Sequence, residues 1–162
     1  MRRLAATTAA LAIGAVALTG CGSSDSGNGK PAGSSQPASA KPELKVSGGY
    51  VPQPAMDDMA AGYFTVDNTG GAGDQLTGVT SDVASDVTMH RTESDMMQEV
   101  KSFTVPAHGR LVLSTGGNHL MLMGLRKKPT VGGKVSFTLR FAKSAPITVT
   151  VPVEPATYRP KG

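Results

Sequence analysis

Several features of enzymes and nucleic-acid-binding proteins are scarce or missing in this sequence. The chain has a single cysteine, so it cannot close a disulfide within itself. Its formal net charge of +4 is too small for a nucleic-acid-binding surface, and its lysines and arginines are dispersed. It has no glycine-rich phosphate loop between a strand and a helix, and no serine, histidine and aspartate set is apparent from spacing. These absences argue against nucleic-acid binding, nucleotide chemistry and serine hydrolysis.

Residues 1–20 have the character of a secretory signal peptide. Arg2 and Arg3 precede an apolar run over residues 4–18, which is too short for a membrane span. The run ends in LTGC, which resembles the lipobox of bacterial lipoproteins and predicts lipid attachment at Cys21. A lipidated Cys21 leaves no thiol for catalysis or for metal binding. We therefore expect an extracytoplasmic protein that is lipid-anchored to the bacterial cell membrane through Cys21.

Residues 21–42 comprise the lipidated cysteine and a linker of glycine, serine, proline and other small or polar residues. The linker has no bulky apolar side chain, so it cannot bury enough surface to offset the entropy of ordering. A flexible segment of this length has an r.m.s. reach of roughly 25 Å. We expect one domain over residues 43–154, followed by a C-terminal tail over residues 155–162.

The domain shows apolar and polar residues alternating with a period of two, and no helical apolar period is sustained. In KVSFTLRFA, every second residue from Val135 to Phe141 is apolar, and ITVTVPV repeats this pattern from Ile147 to Val153. Turn-forming stretches separate such segments. The pattern predicts an all-β fold, a Greek-key β-sandwich of about seven to nine antiparallel strands. Further strands are predicted at 44–50, 62–67, 75–80, 87–91, 99–105, 110–114 and 119–123.

Methionine is abundant for a core with only four phenylalanines and no tryptophan. In HLMLM, residues 119–123, His119 and Met121 share a strand face and lie about 7 Å apart along it. The segment is either an ordinary packed strand or a strand whose face holds a metal. MHRTESDMM, residues 89–97, offers a second imidazole and further thioethers. Because thioethers are soft and neutral, such a set favours copper(I), with copper(II) also open, over zinc, calcium or magnesium.

Other histidines and methionines have competing interpretations. His108 lies at the tip of PAHG, where an exposed turn residue is expected. Met56 and Met59 lie in PQPAMDDMA, either packed at one end of the sandwich or at the rim of a site. Met123 shares a face with Met121 but lies deeper along the strand, which favours a place in the core.

With these residues in view, the domain resembles the PCuAC family of periplasmic copper chaperones, small cupredoxin-like sandwiches that deliver copper(I) to respiratory oxidase. The family signature is a histidine, ten residues, a methionine, twenty-one residues and then His-x-Met. Met97 and His119 have twenty-one residues between them, and His119-Leu120-Met121 is the closing His-x-Met. The similarity runs from GYFTVDNTGGAGDQLTGVTSDVA to ITVTVPV. The resemblance implies a copper site formed by His90, Met97, His119 and Met121.

One departure concerns His90. Six residues separate His90 from Met97, where the family has ten. The shorter bend, RTESDM, could pull His90 inward or allow Met89 or Met96 to replace an expected ligand. Met89, Met96 and Met123 are therefore candidate additional metal ligands.

The resemblance implies a function in transfer rather than catalysis. The expected protein is a membrane-anchored copper(I) chaperone that binds one Cu(I) through histidine and methionine. It would deliver the ion to a cuproprotein, with a cytochrome c oxidase copper centre as the expected acceptor. The alternative is a lipoprotein interaction module whose methionine-rich surface contacts a partner protein without any role for metal.

Overall fold

The computed structural model describes residues 40–94 and 96–160. The predicted signal peptide, Cys21 and most of the linker lie outside these residues. Within them the chain forms ten β-strands, and none of the described residues belongs to a helix able to cross a membrane. The strands are β1 (Leu44–Pro52), β2 (Met59–Asn68), β3 (Asp74–Ser81), β4 (Ala84–Glu93), β5 (Met96–Val100), β6 (Phe103–Val105), β7 (Gly109–Val112), β8 (His119–Leu125), β9 (Lys134–Phe141) and β10 (Ile147–Glu154).

The ten strands belong to one continuous hydrogen-bonded sheet, which folds into two layers connected by β1. One layer has the order β5-β4-β8-β2, and the other has the order β6-β3-β9-β10. β1 joins the layers, because it pairs antiparallel with β2 and in parallel with β10. β7 adds a further antiparallel pairing with β2. The predicted all-β fold is confirmed, with ten strands instead of about seven to nine and with one parallel pairing.

Apolar side chains from the two layers meet in a common core. The rings of Phe64 on β2 and Phe137 on β9 have centroids 6.4 Å apart, and both side chains are buried. A Cβ atom at Gly62 would lie 3.0 Å from Phe137 Cζ, so the layers approach closely there because Gly62 has no side chain. The predicted inward faces of β9 and β10 are confirmed. Val135, Phe137, Leu139, Val151 and Val153 are buried, and Phe141, Ile147 and Val149 are partly buried.

The single strand predicted over residues 99–105 is wrong, because the structure has two strands there. β5 pairs with β4 in one layer, and β6 pairs with β3 in the other. The chain therefore crosses between the layers at residues 101–102. The inward positions shift from even numbers at Val100 to odd numbers at Phe103 and Val105. This change of parity marks the crossing, whereas local alternation alone does not identify the partner strand.

Asn68, at the end of β2, is a buried polar side chain with all its hydrogen-bonding capacity directed at the backbone. Its Oδ1 accepts from the N–H groups of Glu43 and Gly70, each at 3.0 Å. Its Nδ2 donates to the carbonyl oxygens of Ala72 at 2.9 Å and Pro106 at 3.0 Å. One side chain thus links the start of β1, the turn after β2 and the end of β6.

Candidate metal centre

The register of β4 against β8 brings the two candidate histidines together. His90 lies directly opposite His119, and their rings stack with centroids 5.6 Å apart and an interplanar angle of 20°. Directly opposed residues in antiparallel strands project to the same face of the sheet. His119, the first residue of β8, is only 6% exposed. His90 is half-buried.

His119 is held in one tautomer by its own chain. Its Nδ1 lies 2.9 Å from the carbonyl oxygen of Gly117, which can only accept a hydrogen bond. Nδ1 of the neutral ring therefore carries the proton, and the lone pair is on Nε2. A metal-binding histidine commonly has this arrangement, in which a backbone acceptor orients the ring and fixes the coordinating nitrogen.

His90 has one nitrogen with a partner and one without. Its Nε2 lies 2.9 Å from the hydroxyl oxygen of Thr88, whereas its Nδ1 is buried and has no hydrogen-bond partner. Burial lowers the pKa of His90, the neighbouring His119 lowers it further, and Glu99 partly opposes both effects. His90 is therefore kept neutral, which is the form that can bind a metal.

The lowered pKa of His90 predicts an acid-sensitive stability of the metal-free domain. Below the usual histidine value of 6.5, the unfolded chain is protonated at this residue while the folded chain is still neutral. Because the unfolded state then holds more protons, the free energy of unfolding should fall as the pH decreases through this window. Urea unfolding at pH 7 and pH 5 should show a smaller pH dependence for His90→Gln than for the native sequence. The prediction would be contradicted if the free energy of unfolding of His90→Gln depended on pH as strongly as that of the native sequence. It would also be contradicted if the exposed control His108→Gln reduced the pH dependence by the same amount.

The two candidate methionine ligands lie on the same face as the histidines. Met121 is opposite Thr88, one alternation along β8 from His119, and is half-buried. Met97 on the edge strand β5 is opposite Thr92, one alternation along β4 from His90, and is 56% exposed. The structure therefore brings all four predicted ligands to one face of the β5-β4-β8 sheet.

The short bend between His90 and Met97 is accommodated by the hairpin of β4 and β5. His90 pairs with Glu99, and Met97 lies two residues before Glu99 on the same strand. In a hairpin with two more residues in each strand, ten residues would separate the histidine from the methionine. The methionine would still lie two residues before the residue that pairs with the histidine. The four-residue difference from the family signature therefore matches a change at the hairpin tip that keeps the site face intact.

The other residues considered from the sequence lie elsewhere. Met89 is buried in the core, on the opposite face of β4 from His90. Met96 is 64% exposed and pairs with Glu93, also on the opposite face from the site. Met123, for which the sequence favoured the core, is half-buried on the site face and pairs with Met59. His108 is exposed and has a φ of 49°, as expected for a turn residue.

A cavity of 470 Å³ opens beside the four residues. Met97, His119 and Met121 line one side of it. Met56 and Met59, for which the sequence left packing and rim positions open, both line the cavity as well. Tyr63, Tyr158 and Arg159 are among the further lining residues that sequence reasoning missed.

Of the missed residues, Tyr63 could have been predicted from the sequence, whereas Tyr158 could not. Tyr63 follows Met59 and Ala61 on the outward face of β2, so alternation could have identified it. Tyr158 gave no local signal, because it lies beyond the last strand. It packs edge-on against Tyr50 with ring centroids 5.0 Å apart, and Ala156, Tyr158 and Arg159 line the cavity.

The donor set is unsuited to a hard metal ion. Among residues 40–94 and 96–160, no group of three or more histidine, cysteine, aspartate or glutamate residues could hold a metal. The grouped donors are two neutral imidazoles and two neutral thioethers. This combination suits a soft ion that binds both nitrogen and sulfur.

Two comparisons of the sequence identify a family and a relative of this chain. The family described as "Putative lipoprotein LpqE-like" matches residues 44–153. "Putative lipoprotein Lxx21020" from Leifsonia xyli subsp. xyli (strain CTCB07) is 37% identical over 155 residues, covering 93% of this chain and 88% of the relative.

Two solved structures share the fold. The copper-bound PCuAC domain from PmoF2 is 26% identical with a TM-score of 0.61, and the match covers 69% of this chain and 92% of that domain. The solution structure of CuI-DR1885 from Deinococcus radiodurans is 29% identical with a TM-score of 0.59, covering 78% of this chain and 88% of that protein. The predicted likeness to the cupredoxin-like PCuAC fold is confirmed.

Proposed function

The chain belongs to the LpqE-like family, and on that premise we propose that it is an extracytoplasmic copper(I) chaperone. It binds one cuprous ion through His90, Met97, His119 and Met121. The observation that carries the proposal is the placement of these two imidazoles and two thioethers on one face of the sheet, beside an open cavity. Support comes from the similar structures, since one is a copper-bound PCuAC domain and another is CuI-DR1885.

The residues present fit a cuprous ion. The buried Nδ1 of His90 has no protein partner, and leaving a buried polar atom unsatisfied costs about 1–3 kcal/mol. A metal bound there would supply the missing partner. The neutral donor set adds no negative charge, so it favours copper(I), with copper(II) binding as a secondary capacity.

The proposed mechanism is ligand exchange with a receiving protein. Three of the four donors lie on the cavity wall, and the thioether of Met97 is the most exposed of the set. An acceptor can therefore replace one ligand at a time while the ion remains bound to the others. Thioethers and imidazoles bind copper(I) without the much stronger hold of a thiolate cluster, which favours release. The chain is a carrier of the ion and not an enzyme.

The proposal also includes a location at the membrane and a copper-accepting partner. Lipidation of Cys21 would anchor the protein to the membrane. The descriptions of the family and of the Leifsonia relative as lipoproteins support this anchor. The acceptor we propose is a membrane cuproprotein such as a cytochrome c oxidase copper centre.

X-ray absorption of the Cu(I)-loaded protein tests the ligand set directly, because it counts nitrogen and sulfur neighbours. We expect both nitrogen and sulfur neighbours around copper at one equivalent. The sulfur contribution should decrease in Met121→Leu and remain unchanged in Met96→Leu, whose thioether lies on the opposite face. A native spectrum without sulfur neighbours would contradict the proposal.

Acidification should weaken copper binding. A protonated imidazole cannot bind a metal, so Cu(I) affinity should decrease as the pH falls through the histidine range. Because burial and His119 lower the pKa of His90, this residue should keep its ligand role below the usual value of 6.5. Anaerobic competition titrations at pH 7, 6 and 5 measure the effect. Affinity that stays flat over this range would argue against imidazole ligands.

A further inference from the structure

A second group of thioethers lies beside the proposed copper site. Met59 on β2 is directly opposite Met123 on β8, and Ala61 is directly opposite Met121. Met59, Met121 and Met123 therefore project from one face, with Met59 on the diagonal to Met121. Met56, in the loop before β2, lines the same cavity as Met59 and Met121.

We propose that Met56, Met59 and Met123 form a second soft-metal site, which binds Cu(I) through thioethers alone. Directly opposed Cβ atoms in an antiparallel pair lie about 4.5–5.5 Å apart. Methionine has three rotatable side-chain bonds, so the sulfur atoms of Met59 and Met123 can reach one ion without backbone movement. Both side chains are half-buried, which gives the ion partial shelter from water.

The loop that carries Met56 is tethered at two points near this residue. Lys128 Nζ lies 2.7 Å from Asp57 Oδ1 and donates to the carbonyl oxygen of Ala55 at 3.3 Å. Lys128 therefore holds the residues on both sides of Met56, while the Met56 side chain is 57% exposed and able to turn. A third thioether is thus available from the solvent side.

The three thioethers of the second site favour a narrow class of metal ions. Three neutral thioethers bind soft d10 ions and offer nothing to calcium, magnesium or zinc. The group has no imidazole, so its affinity for Cu(I) should be lower than that of the site with two histidines. Soft-metal binding here does not depend on the chaperone function.

The position of the group suggests its role, and this role rests on the proposed chaperone function. Met59 is diagonal to Met121, so the two sites lie side by side on this face of the sheet. An ion held by Met59 and Met123 can exchange one thioether for that of Met121 without leaving this face. The second site is thus a staging position for copper that enters or leaves the His/Met site.

The test is anaerobic titration of the mature chain, lipidated at Cys21 and therefore without a free thiol, with Cu(I), repeated with Ag(I) as a redox-inert d10 ion. We expect two equivalents to bind, the second more weakly, and the methyl NMR signals of Met59 and Met123 to shift with the second. Met59→Leu/Met123→Leu should weaken the second equivalent by at least about tenfold and leave the first unchanged. Leucine is close in volume to methionine, so the fold should be retained.

Two further variants separate this proposal from the chaperone function. Met96→Leu removes an exposed thioether from the opposite face and should still bind two equivalents. His119→Ala/Met121→Ala should lose the tight equivalent and keep the weak one. A single equivalent in the native chain, or two equivalents unchanged in Met59→Leu/Met123→Leu, would overturn the second site. Neither result would affect the assignment of the His/Met site.

Discussion

His119→Ala should weaken Cu(I) binding by at least about 10–100-fold. Losing only an outer partner of a metal ligand costs about this much in affinity, and here the ligand itself is removed. The chain has three histidines, and His108 lies beside Asn68 and Thr69 rather than at the site, so no further imidazole can take the place of His119. Met121→Ala should also reduce affinity, but less, because both imidazoles and the thioether of Met97 remain on the same face. Anaerobic titration against a Cu(I)-specific competing chelator measures both changes.

Two controls make this result interpretable. Met96→Ala removes a more exposed methionine from the other face and should retain native affinity. Because His119 is buried, thermal unfolding of metal-free His119→Ala must show that the domain still folds. Equal affinity and stoichiometry in the native chain, His119→Ala and Met121→Ala would contradict the chaperone function. That result would favour an interaction module with a methionine-rich contact surface.

Asn68→Ala should lower the free energy of unfolding by about 2–4 kcal/mol, since each buried group left unsatisfied costs about 1–3 kcal/mol. The substitution removes four hydrogen bonds at once and leaves backbone groups of separate segments without partners. Urea unfolding of the metal-free domain measures the change. The fall in Tm should be roughly 10 °C or more.

The variant Asn68→Asp separates the accepting role of the Asn68 side chain from its donating role. It keeps an oxygen to accept from Glu43 and Gly70 but removes the donor to Ala72 and Pro106. It should therefore be destabilising because two carbonyl groups lose their donor. Gln75→Ala, at an exposed strand position, should change the free energy of unfolding by less than about 0.5 kcal/mol. A change this small in Asn68→Ala would show that water replaces the lost bonds.

The sequence predicts which face of the sheet a residue occupies better than it predicts which strands lie next to each other. Alternation correctly assigned the inward residues of β9 and β10, because burial of one face imposes a period of two. The same alternation places His119 and Met121 together and makes Met89 point away from His90. Alternation within one strand cannot determine that His90 faces His119, because this depends on the register between β4 and β8.

Two other features could not be predicted from short stretches of sequence, and the physical reason differs between them. The division of residues 99–105 between two layers follows from long-range pairing, even though a parity shift marks it. The contribution of Tyr158 and Arg159 to the cavity follows from packing of the chain end against Tyr50. Packing of this kind depends on side chains that are distant in sequence, so no short sequence pattern predicts it.

The connecting strand β1 also has a consequence for the order of folding. Its parallel pairing joins Val51 to Val153, so forming it closes a loop of about 100 residues. Such a closure is entropically costly, and non-local strand pairing of this type slows folding. The two layers cannot be joined through β1 until β10 is present. During synthesis or export, the domain therefore completes its fold only after nearly its whole chain has emerged.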